Sequence, residues 1–185
     1  MIYIFLANGF EDIEALAPLD ILRRAGLRVE LVSIHHENIV ESAHGVKVIC
    51  DINLRAVDWA QAELLVLPGG LPGSTNLDAC EPLRAGILKH AQGGKALAAI
   101  CAAPQVLGHL GLLDGRRATC YPGVEGELGK AQYTAALVER DGNIVTGKGP
   151  GAAMAFGYAL LELMGKEAEA EALKEGMQYN FLLAR

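Results

Sequence analysis

Three apolar runs, Ile2 to Ala7, Leu64 to Leu67 and Ala96 to Ile100, constrain this chain more than anything else in it. Each has the length of a strand and none alternates with polar residues, the pattern of a strand covered on both faces. Each also stops abruptly, at Asn8-Gly9, at Pro68-Gly69-Gly70 and at Cys101. Helical patterns lie between them. Phe10, Ile13, Ala17 and Ile21 recur at helical spacing before Gly26, Glu81 to Gln92 carries Pro82 in its first turn, and Ala102 to about Leu110 carries Pro104 in the same place. Arg28 to Ile34 adds a strand, and two hairpins are expected, around Ala43-His44-Gly45 and across Asp141-Gly142-Asn143. The Gly-rich loop in GKGPG opens a long buried helix, and Lys166 to Gly176 forms a last amphipathic one. Strands alternating with helices predict an α/β fold: a doubly wound, mostly parallel sheet with helices on both faces, in a single domain over residues 1–185.

Composition narrows the function classes. The chain has 185 residues and a net charge of -6, with basic residues scattered through it, so no basic surface is expected and no nucleic-acid partner. Although 51% of residues are hydrophobic, no run of roughly 18 apolar residues is free of charge, which argues against a membrane span. The four cysteines, Cys50, Cys80, Cys101 and Cys120, form no CxxC pair and have no histidine at metal-ligand spacing, so no metal site is expected. Without an export signal, they point to a reducing, cytoplasmic setting. A small-molecule ligand or a protein partner remains.

In a doubly wound sheet, ligands bind where loops leave the carboxyl ends of the strands. Three such exits converge: residues 9–14, Pro68-Gly69-Gly70, and Cys101. A cysteine at a strand-to-helix bend lies near the positive end of a helix dipole, which lowers its pKa and favours the nucleophilic thiolate. The alternative is an inert core cysteine. Glu14 shares a helix face with Ala17 and Ile21, so it is expected to be buried, to bind a proton tightly and to exchange it with a thiolate. The competing reading places Glu11, Asp12 and Glu14 together as simple complements to the helix N-terminus. Pro18, four residues after Glu14, is expected to distort the first turn. Gly69 and Gly70 let the backbone approach closely and present N–H groups to a developing oxyanion, together with the N–H of Ala102. Among the histidines, His44 is placed near a pocket at the hairpin tip, His90 at a solvent-facing helix end, and His109 pointing away from the bend. No Cys-His dyad is visible.

Taken together, GFEDIEALAPLDILRRAG, LLVLPGG, AAICAAP and GKGPG, in this order, resemble the DJ-1/ThiJ/PfpI superfamily and its DJ-1 branch over nearly the whole chain. The resemblance implies a flavodoxin-like homodimer with Cys101 as reactive nucleophile at an elbow, Glu14 hydrogen-bonded to it, and Gly70 and Ala102 as backbone donors. It further implies a pocket formed by Gly69, His44, Tyr121 and Pro150. Arg24 matches an arginine that faces the partner's site. The activity implied is that of a cofactor-independent glyoxalase or deglycase acting on small α-oxoaldehydes such as methylglyoxal. The alternative is a non-catalytic oxidative-stress sensor or redox-regulated chaperone using Cys101 oxidation. Two departures stand out. Tyr121 occupies a position where many relatives have His, and Ala102 follows the cysteine where protease-like relatives have His. An amidotransferase-type hydrolase would need a later histidine, and none follows His109.

Overall fold

The computed structural model describes residues 1–183. In chain order its elements are β1 (Ile2–Leu6), α1 (Asp12–Arg24), β2 (Val29–Ser33), β3 (Ile39–Glu41), β4 (Lys47–Ile49), β5 (Ile52–Asn53), β6 (Leu64–Leu67), α2 (Gly73–Ala79), α3 (Glu81–Gln92) and β7 (Ala96–Ile100). They continue with α4 (Pro104–His109), β8 (Arg117–Ala118), β9 (Gln132–Tyr133), β10 (Val138–Asp141), β11 (Ile144–Gly147), α5 (Ala153–Leu163), α6 (Glu167–Gly176) and α7 (Asn180–Leu183).

The central sheet has seven strands in the order β10-β11-β7-β6-β1-β2-β5. All neighbours are parallel except β10 and β11, which form an antiparallel hairpin at one edge. The absence of polar alternation in the apolar runs is thereby explained. Ile2, Ile4 and Leu6 point into a core shared with α1, α5 and α6, while Tyr3, Phe5 and Ala7 point into a second core with α2, α3 and α4. Every residue of β1 and β6 is buried. The fold is therefore the mostly parallel α/β sheet with two helical layers that the sequence predicts. No helix among the described residues is long and apolar enough to cross a membrane.

Several local expectations are corrected. The buried face of α1 carries Glu14, Ala15, Pro18, Leu19, Ile21 and Leu22, whereas Ile13 is exposed and Ala17 only partly covered. The helix also runs without interruption across Pro18, whose ring packs inward. His90 is buried: its Nε2 lies 2.9 Å from the Ala96 carbonyl, and burial pushes its pKa down. Helix α2 and the two-residue pair β8 and β9 were not legible in the pattern.

Candidate active site

Four neighbouring strands, β1, β6, β7 and β11, send their carboxyl ends to one edge of the sheet. There the chain folds into a tight cluster. Gly70 has φ +87, a conformation favoured by glycine, and a Cβ on it would collide with the main chain of Gly9, Phe10 and Glu11. Glu11 N–H donates to Gly69 O at 3.0 Å and Gly73 N–H to Gly9 O at 3.1 Å, so the first two loops are laced together by main chain alone.

Cys101 follows β7 directly and has φ 64. An L-residue held in that region carries strain of about 1–3 kcal/mol, which only surrounding contacts can maintain. Those contacts are present: Cys101 N–H donates to Gly147 O at 2.9 Å, and Tyr121 N–H donates to Cys101 O at 2.8 Å. Helix α4 begins only at Pro104, so Cys101, Ala102 and Ala103 form a turn ahead of it instead of its first residues. The backbone N–H groups of Gly70, from the loop after β6, and of Ala102, from this turn, both act on the Cys101 sulfur. The bend has the strand-turn-helix shape of a nucleophile elbow, with alanines where the familiar form uses glycines.

Glu14 is fully buried against this bend. Its Oε2 accepts the Gly69 N–H at 2.9 Å, and its own N–H donates to Glu11 Oε2 at 2.9 Å, so Glu11 acts as the N-cap that fixes the start of α1. Glu14 Oε1 is buried without a hydrogen-bond partner of ordinary geometry, and the Cys101 thiol is the group that interacts with this carboxyl. A lone buried carboxylate oxygen is costly, whereas a carboxyl O–H aimed at sulfur is satisfied. A Cβ on Gly69 would lie 2.6 Å from both Cys101 Cβ and Glu14 Oε2, so glycine alone permits thiol and carboxyl to meet here.

Burial, reinforced by the Glu11 charge, pushes Glu14 up to about 7. Burial first, and then the Glu14 carboxylate, push the Cys101 thiol up to about 12, against the two backbone donors. The lowered thiol pKa expected from a helix terminus is therefore not found, because desolvation and a neighbouring negative charge outweigh two amides. The two groups titrate as a pair. Moving one proton onto Glu14 removes the charge opposing ionisation and turns the carboxyl into a donor to the thiolate.

The remaining candidates are dispersed. Tyr121 and Pro150 line a cleft of about 260 Å³ with Leu137 and Gly149. His44 sits on the β3 to β4 turn with Nδ1 2.7 Å from Asp12 Oδ2, and this carboxylate raises its pKa. Ligand atoms of Glu11, Asp12 and His44 lie within 4.8 Å of one another, but Glu11 already caps α1 and His44 is already paired with Asp12. Arg24 is exposed and bonds Asp20 at 2.7 Å; ten residues along α1 from Glu14, it lies about 15 Å away and outside this chain's own site. His109 is held between Asp78 at 2.7 Å and Glu127 at 2.8 Å, away from the cysteine. The expected role of Glu11 at the helix N-terminus holds, whereas the anchoring roles of Gly147 and the Tyr121 amide were missed, since main-chain partners leave no side-chain signature.

A doubly wound sheet with a strained cysteine and a buried carboxyl at its carboxyl edge places the chain in the class of flavodoxin-like α/β proteins with a cysteine at the strand-to-helix bend. Comparison with known sequences makes this specific: the profile of the DJ-1/PfpI family matches residues 1–163, and the chain belongs to that family. Protein DJ-1 homolog B of Arabidopsis thaliana is 41% identical over 169 residues, covering 90% of this chain and 39% of the plant protein. The chain thus spans only about two fifths of that relative's length. A protein named deglycase from Pyrococcus abyssi is 33% identical over 168 residues, 88% of this chain and 98% of its own. Among solved structures, a mutant of a DJ-1 superfamily protein from Salmonella typhimurium superposes with a TM-score of 0.91 at 35% identity, covering 96% of this chain and 97% of that one.

Proposed function

We propose that this protein is a cysteine-dependent, cofactor-independent enzyme that converts small α-oxoaldehydes such as methylglyoxal into 2-hydroxy acids, an activity of glyoxalase or deglycase type. The observation that carries the reading is the buried Glu14 carboxyl, pushed up to about 7, against a strained Cys101 whose sulfur receives two amide N–H groups. That an archaeal relative is named deglycase supports an enzymatic role.

The chemistry needs no external oxidant. The Cys101 thiolate adds to the aldehyde carbon, a C–S bond forms, and the carbonyl electron pair moves to oxygen, which takes the proton from Glu14. Glu14, now a carboxylate, removes the hydrogen from the same carbon and returns it to the adjacent ketone carbon through an enediol. The former aldehyde carbon is oxidised to a thioester while its neighbour is reduced to an alcohol. Water then cleaves the thioester, releasing the hydroxy acid and restoring the thiol and the pair's proton. Incubating the protein with methylglyoxal in the absence of glutathione should yield lactate, followed by NMR. Aldehyde that persists at the rate of the protein-free control would refute the reading.

We also propose a homodimer in which Arg24 of one chain approaches the site of the other. Ile39 and Ile49 face each other across β3 and β4, both more than half exposed, and Ile13 is exposed on the adjoining end of α1. Apolar side chains gathered on one surface suit a second copy of the same chain. Sedimentation at micromolar concentration should give a dimer, and Ile49→Asp should shift it to monomer; a monomeric native protein would end this proposal.

A further inference from the structure

We propose that the amino edge of the sheet, the end opposite Cys101, carries a second small-molecule site, one that takes a carboxylate bearing a hydroxyl group. The site is a cavity of about 250 Å³ between the last turns of α3, the loop before β6 and the start of β7, walled by Trp59, Ala60, Gly86, Lys89, His90 and Lys95. Lys95 and Cys101 flank β7 at its two ends, so about 20 Å of extended chain separates this cavity from the nucleophile. None of these residues belongs to the Cys101 site, and the proposal stands apart from the reading of that site.

The observation that carries it is an acceptor without a donor. His90 is only 5% exposed, its Nε2 lies 2.9 Å from the Ala96 carbonyl and so holds the ring proton, and its Nδ1 is buried with no hydrogen-bond partner. Burial, with the Lys95 charge behind it, pushes the ring pKa down and keeps it neutral. An unmatched polar atom of this kind is costly in the interior, and here it belongs to a wall of the cavity. The cavity is also positively charged, because two lysines and no acidic residue line it. Lys95 Nζ is held by the carbonyls of Ala60 at 2.9 Å and Ala62 at 2.7 Å, which fix the ammonium without neutralising it. Lys89 is not needed to close α3, since the Gly93 and Gly94 amides donate to the Lys89 and Ala91 carbonyls. Asp58, beside Trp59, is engaged by the Ala60 N–H at 3.0 Å and the Gln61 side-chain amide at 2.9 Å. Trp59 stacks on Phe5, and a Cβ on Gly86 would collide with its ring, so the indole is a fixed apolar wall. Two ammonium groups select an anion, and Nδ1 selects a neutral donor, because a ligand ammonium would be repelled by both lysines. A hydroxy acid meets both demands and an amino acid does not.

Trp59 is the single tryptophan of the chain, so its emission reads this cavity. Titration with mandelate, which joins a hydroxyl, a carboxylate and a phenyl ring, should give a saturable change in that emission. Phenylacetate, without the hydroxyl, should bind about fivefold more weakly, the worth of one hydrogen bond, and phenylglycine, with an ammonium in its place, more weakly still. Lys89→Met, at an exposed position, should weaken mandelate binding about threefold. His90→Gln keeps a donor for the Ala96 carbonyl and should make mandelate and phenylacetate bind alike. Cys101→Ser should leave every one of these affinities unchanged, so the site survives even where the aldehyde chemistry fails. An emission change merely proportional to ligand, phenylglycine bound as tightly as mandelate, or native affinity in Lys89→Met overturns the site. Loss of the mandelate response in Cys101→Ser would put the ligand at the nucleophile and overturns it equally.

Discussion

Cys101→Ser should reduce methylglyoxal consumption to the uncatalysed background, a loss of roughly 10⁴-fold or more in kcat/KM. The substitution is nearly isosteric and leaves the Gly147 and Tyr121 main-chain contacts in place, so the fold and its melting temperature should be retained. What changes is the acidity of the nucleophile. The site pushes even a thiol up to about 12 before Glu14 takes the proton, and a hydroxyl in the same place is beyond the reach of a carboxylate base. Aldehyde loss measured spectrophotometrically checks this directly. Native turnover by the serine protein would place the chemistry elsewhere and leave Cys101 as an oxidisable thiol.

Glu14→Gln should cost about 10²–10⁴-fold in kcat/KM, the usual contribution of a positioned acid and base. Its pH dependence is more telling than its size. In the native protein both groups hold protons well below pH 7, and the reactive state, one proton shared by the pair, accumulates as pH rises through about 7. The kcat/KM profile and the rate of iodoacetamide alkylation should both rise across that point, and the glutamine variant should lack the inflection. Stability should move oppositely. A carboxyl raised from 4.5 to about 7 by burial stabilises the fold fully below 4.5, and that contribution is lost as pH climbs through about 7. The linkage amounts to about 3 kcal/mol. Denaturant midpoints should therefore decline with pH in the native protein and stay level over this window in Glu14→Gln.

The central strands were readable because burial on both faces erases alternation, leaving runs such as LLVL that fit little else. Cys101 and Glu14 were readable for a related reason: a polar group interrupting an apolar context signals a position that packing does not explain. Helix α2 escaped notice because GSTNLDA is poor in helix formers, and Leu77, buried against the second core, supplies the packing that propensity does not. The face of α1 was misjudged at Ile13 because spacing alone does not say how wide the covered stripe is; a residue one step away, Ala15, is buried instead. His90 was assigned to solvent by its place near the end of α3, yet the return of the chain into β7 covers it and supplies the Ala96 carbonyl. The direction of the thiol shift depends on how completely the bend is enclosed, which no local pattern encodes.

The order β11-β7-β6-β1 at the functional edge has a metric consequence. Parallel strands stand about 4.8 Å apart, so the edge works as a ruler with one group at each mark. Carboxyl, backbone donors and sulfur occupy three successive marks from β1 to β7, and a fourth, at β11, carries the Pro150 wall. The distance from the sulfur to this fourth mark is set by the pairing of β7 with β11 rather than by any single side chain.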